Sequence, residues 1–151
     1  MLTLGAIDME MLQLALDSPS DWDSRYWFDP RTGETSLWLR DSLDEAEESE
    51  EDLEARGAIL VEPIRPYEAY RDMESFIADV RDERAKDLLW RAIDGKGAFR
   101  RFRNTLAEFP ELQTLWFSFH NRAMRRRAIE WLAESGVVEQ DEAEKALRLL
   151  A

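Results

Sequence analysis

Cysteine is absent from this 151-residue chain, and histidine occurs once, at position 120. The first absence excludes disulfides and thiol catalysis. The second leaves too few nitrogen and sulfur donors for the usual zinc ligand set. No nucleophile-elbow motif accompanies His120, so a Ser-His-Asp triad has no anchor, and a structural or surface role is expected for it. No apolar run approaches the roughly 20 residues of a membrane helix. The opening Met1-Leu-Thr-Leu-Gly lacks the basic stretch, apolar run and small-residue cleavage site of a signal peptide. Cytoplasm is therefore the expected location, with no membrane partner.

Positive charge is also scarce. Twenty Lys and Arg face 33 Asp and Glu, for a net charge of −13. The imbalance is uneven. Residues 1–56 carry 4 basic and 16 acidic side chains, a net −12, whereas residues 96–130 carry 8 and 3, a net +5. Overall acidity disfavours indiscriminate binding to nucleic acid or anionic membrane, with the basic island as a local exception. The acidic residues are expected to mask that island in the folded protein, so that nucleic-acid binding is weak at physiological salt.

What is present suffices for a packed globule. The chain is 44% apolar and 11% aromatic, a composition that folds without metal or disulfide staples. One domain, residues 1–151, is expected. Residues 2–7 are read as a short strand. Asp8 then N-caps a helix through about Asp17, with Met11, Leu12, Ala15 and Leu16 on one face. Arg25–Phe28 and Thr35–Leu39 flank Asp29-Pro-Arg-Thr-Gly-Glu34, which is a β-hairpin signal; Gly33 supplies the positive φ its turn requires. Residues 41–56 are dominated by like charge, so a mobile loop or solvated helix is expected there. Ala58–Val61 is a third strand, stopped by Pro63.

From Pro66 the period becomes helical. Tyr70, Met73, Ile77 and Val80 share one face. After the N-cap Asp82, so do Ala85, Leu88, Leu89, Ala92 and Ile93. Gly95 closes that helix and Gly97 opens the next, which carries Phe99, Phe102 and Leu106 on one side, with Phe99 and Phe102 expected in the core. Pro110 starts a longer helix with two apolar stripes. The first is Leu112, Leu115, Trp116, Phe119 and Ala123; the second is Met124, Ala128, Trp131 and Leu132, rotated by roughly 150°. Either this helix buries opposite faces in its two halves or it breaks near Asn121. Gly136 ends it, and Ala143, Ala146, Leu147 and Leu150 mark a last helix. The class is α+β: an N-terminal helix with a small antiparallel sheet, followed by a C-terminal helical bundle.

Three constellations are candidates for function. Gly95-Lys96-Gly97-Ala-Phe-Arg100-Arg101, with Arg103, places a glycine turn and cations at a helix N-terminus, where anions bind. It lacks the spacing of a Walker A loop and follows no strand. The alternative is a tight helix–helix connection. Arg122, Arg125, Arg126 and Arg127 form a second basic cluster, either solvated, paired with the acidic stretch, or facing an acidic partner. Trp27 and Trp38 stand on one face of the hairpin, either as a partner surface or as core covered by a second layer such as the acidic segment. No cofactor or metal is expected, and no pair of carboxylates is marked as catalytic.

The segment from Ile64-Arg-Pro-Tyr-Glu-Ala-Tyr-Arg-Asp-Met-Glu-Ser-Phe-Ile77 to Trp131-Leu132 resembles a bacterial family, uncharacterised protein family 0158. Ala92-Ile-Asp-Gly-Lys-Gly-Ala-Phe-Arg-Arg-Phe-Arg103 is its most specific part. The first helix and the Asp-Pro-Arg-Thr-Gly-Glu hairpin are similar too, and the acidic stretch departs most. That family carries no assigned activity, so the resemblance implies a fold and no catalytic residues. The expected function is non-catalytic protein binding or regulation. The alternative is RNA or DNA binding through residues 96–127, and an enzyme built on carboxylates is the remote third.

Overall fold

The hairpin and the first helix organise the N-terminal part of the chain. A computed structural model describes residues 1–19, 21–42 and 48–150. Helix α1 spans Met9–Asp17 and starts where Asp8 accepts a hydrogen bond from the Met11 amide at 3.2 Å. Its buried residues are Met9, Leu12, Ala15 and Leu16; Met11 lies at the edge of that face. Strands β1 (Ser24–Asp29) and β2 (Glu34–Leu39) form the hairpin, and β3 (Ile59–Val61) joins the other edge of β1. All pairing is antiparallel, with Trp27 opposite Ser36 and Leu60, and Tyr26 opposite Val61. Helix α1 lies against β2 and β3.

Residues 2–7 are not a strand. Leu4–Ala6 form a 3-10 turn, and the Leu2 and Leu4 amides donate to the Val137 carbonyl and the Glu142 carboxylate, at 2.9 and 2.8 Å. An apolar hexapeptide has no intrinsic need of a sheet when its donors find such partners. Of the acidic stretch, residues 43–47 lie outside the described residues, whereas Glu50–Ala55 form helix α2, N-capped by Ser49.

The remaining helices follow the sequence period. They are α3 (Pro66–Ala78), α4 (Glu83–Ala92), α5 (Ala98–Leu106), α6 (Pro110–Glu134) and α7 (Gln140–Leu150). Asp82 caps α4 by accepting from the Arg84 and Ala85 amides. The chain packs as two compact units, Met1–Pro63 with Met124–Ala151, and Ile64–Ala123. In the first, Phe28 is fully buried and meets Trp131 edge-on at 5.5 Å. In the second, Met73, Ile77, Leu89, Phe102 and Leu106 form the core, with Tyr70, Leu112, Trp116 and Phe119 packed on it.

Helix α6 does not break at Asn121. Leu112, Trp116 and Phe119 pack in the second unit, while Met124, Ala128, Ile129 and Leu132 are buried in the first. A straight helix turns about 100° per residue, so two stripes offset by roughly 150° face different ways without any kink.

Candidate functional site

The glycine turn between α4 and α5 is held by Arg101. Its guanidinium turns back along the chain and donates to the carbonyls of Ala92 at 2.8 Å, Asp94 at 2.6 Å and Lys96. These are carbonyls at and beyond the end of α4, where no helical amide remains to meet them. Gly97, at φ +76°, is the N-cap of α5. Lys96, Arg100 and Arg103 point elsewhere: all three are exposed, and none makes an ion pair among the described residues. Phe99, expected on the core side of α5, is 42% exposed beside them. Ala98, Phe102 and Leu106 take the buried face instead, because their spacing of four residues keeps them in register with the core.

The second basic cluster is divided between the units. Arg122 is exposed in the second. Arg125, Arg126 and Arg127 belong to the first; Arg126 is exposed, and Arg127 donates to the Met124 sulfur at 3.6 Å. His120 is half-buried and stacks on Trp116, with ring centroids 5.3 Å apart.

Trp27 and Trp38 are covered from the acidic side. Trp27 is 8% exposed and its indole N–H donates to Glu50 at 3.1 Å; the Trp38 indole donates to the Glu48 carbonyl at 3.1 Å. Of the other tryptophans, Trp116 and Trp131 are half-buried, and Trp22 and Trp90 are exposed. Arg56 bridges hairpin and acidic segment, 2.8 Å from Asp29 and 2.7 Å from Glu48. A pocket of about 280 Å³ remains between the two tryptophans, Asp29, Glu34, Glu48 and Arg56.

Burial alone raises the Asp29 pKa, but hydrogen bonds from the Arg31 side chain and amide and from Arg56 outweigh it and hold the carboxyl below its ordinary value. A depressed carboxyl pKa stabilises the fold above the unfolded value of about 3.9, and that contribution is lost as pH falls through the folded value. Asp29→Asn is therefore expected to cost about 1–2 kcal/mol at pH 7. The gap from the unaltered protein should close below about pH 4. Urea melts at pH 7, 5 and 3 check this, and a gap that stays constant would assign the loss to shape instead of charge.

The feature missed in the sequence is a groove in the second unit. It holds about 340 Å³ between Phe76, the connection Asp79–Asp82, and Leu112, Leu115, Phe119 and Arg122 of α6. Leu115 is 58% exposed. At 100° per residue it stands roughly 70° off the centre of the Leu112–Trp116–Phe119–Ala123 stripe, which is the signal that marks it as a rim position. Asp82 is engaged in capping α4, while Arg81 and Arg122 are exposed and make no ion pair among the described residues. The groove thus combines an apolar floor with two exposed guanidiniums. Among the described residues no three His, Asp or Glu side chains are grouped as a metal ion requires, and no helix is long and apolar enough to cross a membrane.

No solved structure matches the chain. A UPF0158 protein of Pseudomonas aeruginosa is 25% identical over 131 residues, 87% of this chain and 84% of that relative. The family model "Uncharacterised protein family (UPF0158)" matches residues 10–149. With nearly its whole length inside that match, the chain belongs to the uncharacterised protein family UPF0158.

Proposed function

We propose that this protein is a non-catalytic protein-binding module, and that the groove of the second unit receives its partner. The observation that carries the reading is Leu115, more than half exposed at the rim of a groove floored by Phe76, Val80, Leu112 and Phe119. An apolar side chain left in water beside such a floor gains by covering, at roughly 25 cal/mol per Å² of apolar surface removed from water. Asp79 and Asp82 are exposed carboxylates on the groove and equal Arg81 and Arg122 in number, but Asp82 is turned to the α4 amides that it caps. The partner surface that fits is the apolar stripe of an amphipathic helix, with carboxylates placed to meet Arg81 and Arg122. From Leu112 to Arg122 the groove follows ten residues of α6, about 15 Å, the length of nearly three turns of a docked helix.

The test is a photo-crosslinking residue at position 115, introduced in the native cell. A discrete protein adduct is expected. It should survive nuclease, weaken when Arg122→Glu is added, and be missing from a crosslinker placed at Glu10 on α1. The same adducts from both positions, or none from 115, would refute the groove as the partner surface.

A further inference from the structure

A second surface on the same unit has a different chemistry. Phe99, Arg100 and Arg103 lie within an arc of roughly 100° around the α5 axis, and Lys96 immediately precedes the N-cap Gly97 of that helix. All four are exposed, and the three cations make no ion pair among the described residues. The adjoining carboxylates in sequence, Asp94 and Glu108, stand beyond either end of the row and are not bonded to it. Arg101, the fourth cation of the segment, is withdrawn from this face because its guanidinium closes the α4–α5 turn.

On a chain of net charge −13, this face presents an exposed aromatic ring together with Arg100 and Arg103, with Lys96 just before the helix, and among the described residues none of these cations makes an ion pair. Cations alone would suit any acidic surface. The ring narrows the choice: a flat π-face between phosphate-reaching side chains suits an unstacked base with its backbone on either side. We infer that the α5 face binds single-stranded nucleic acid, with Phe99 stacking on a base and Lys96, Arg100 and Arg103 neutralising phosphates. Arg103 follows Phe99 by one turn, so a base on the ring and a phosphate on this guanidinium are adjacent along one strand. Duplex fits worse, because its bases are already stacked and offer the ring no face. The site is independent of the groove, so the two stand or fall separately.

Three phosphate contacts on a single strand predict a definite salt dependence. The logarithm of the binding constant should fall against the logarithm of salt concentration with a slope of about −2. Between 50 and 200 mM salt the affinity then drops roughly fifteenfold. The measurement is fluorescence anisotropy with a labelled 12-nucleotide single-stranded RNA, the matching duplex and a polyglutamate of similar length, using the full chain. Expected results are single strand over duplex by about tenfold and little polyglutamate binding. Phe99→Ala should weaken single-strand binding roughly tenfold with the salt slope unchanged. Arg100→Glu with Arg103→Glu should abolish binding, and Arg100→Gln with Arg103→Gln should flatten the slope to about −0.7. Circular dichroism melts of each variant, all expected to match the unaltered chain, separate loss of binding from loss of fold. Polyglutamate bound as tightly as RNA would reassign the face to an acidic protein. Equal binding of duplex, or indifference to Phe99→Ala, would overturn the stacking, and no RNA binding at 50 mM salt would overturn the proposal.

Discussion

Gly33→Ala is expected to destabilise the protein by about 3 kcal/mol, combining the cost of a left-handed L-residue with that of overpacking. Gly33 has φ +80°, and a Cβ there would stand 2.5 Å from the Ala6 carbonyl oxygen and 3.1 Å from the Ile7 Cα. Both are backbone atoms and cannot rotate aside. Nor can the turn retreat, because the Asp8 amide donates to the Gly33 carbonyl at 3.0 Å and ties the hairpin turn to the start of α1. Gly5→Ala is the control: its Cβ meets nothing within 4 Å, so a change within about 0.5 kcal/mol is expected. Thermal and urea denaturation of both variants check the pair, with a loss of roughly 10 °C in Tm for Gly33→Ala. Two variants of equal stability would show that the hairpin turn is not held against α1.

The α4–α5 joint should separate four neighbouring residues by stability. Arg101→Ala is expected to cost about 2 kcal/mol, since a charged donor serving three carbonyls is lost and those carbonyls must find water. Arg101→Lys should not restore it, because one ammonium cannot span acceptors that a planar fork reaches together. Gly97→Val should cost a further comparable amount, about 2 kcal/mol, from a β-branched residue forced to φ +76°. Its Cβ would also press on the Arg101 guanidinium at 3.2 Å. Lys96→Ala and Arg100→Ala, whose side chains are exposed and unpaired, should stay within about 0.5 kcal/mol. Urea midpoints of the five variants measure this. If Lys96→Ala proved as costly as Arg101→Ala, the division between a structural arginine and a free cationic face would be wrong.

That division marks how far the sequence could be read. Helices α3 to α7 follow from apolar spacing, and the caps Asp8 and Asp82 from residue type and place. The Asp-Pro-Arg-Thr-Gly-Glu turn set the hairpin and its register. Even the two stripes of α6 were legible, because a period fixes the direction in which each side chain leaves the axis. The same rule fails at the margins of a stripe. Phe99 and Leu115 each stand beside a buried row, and whether an edge position is covered depends on the neighbouring element, which no local pattern describes.

Apart from residues 2–7, whose turn depends on Val137 and Glu142, local chemistry determined the elements, their order and the family resemblance, since caps, turns and periodicity act within a few residues. Tertiary structure alone decided which way the charged and aromatic residues face and what they touch. Arg100 and Arg101 are adjacent and chemically equal, yet one faces water and the other holds the end of α4, because the unsatisfied carbonyls lie on one side only. Trp27 and Trp38 are a covered surface because Glu48 and Glu50 reach them across the sheet. Such contacts join residues distant in the chain or bring a side chain back on its own turn, and their energies depend on positions in space that composition and spacing do not encode.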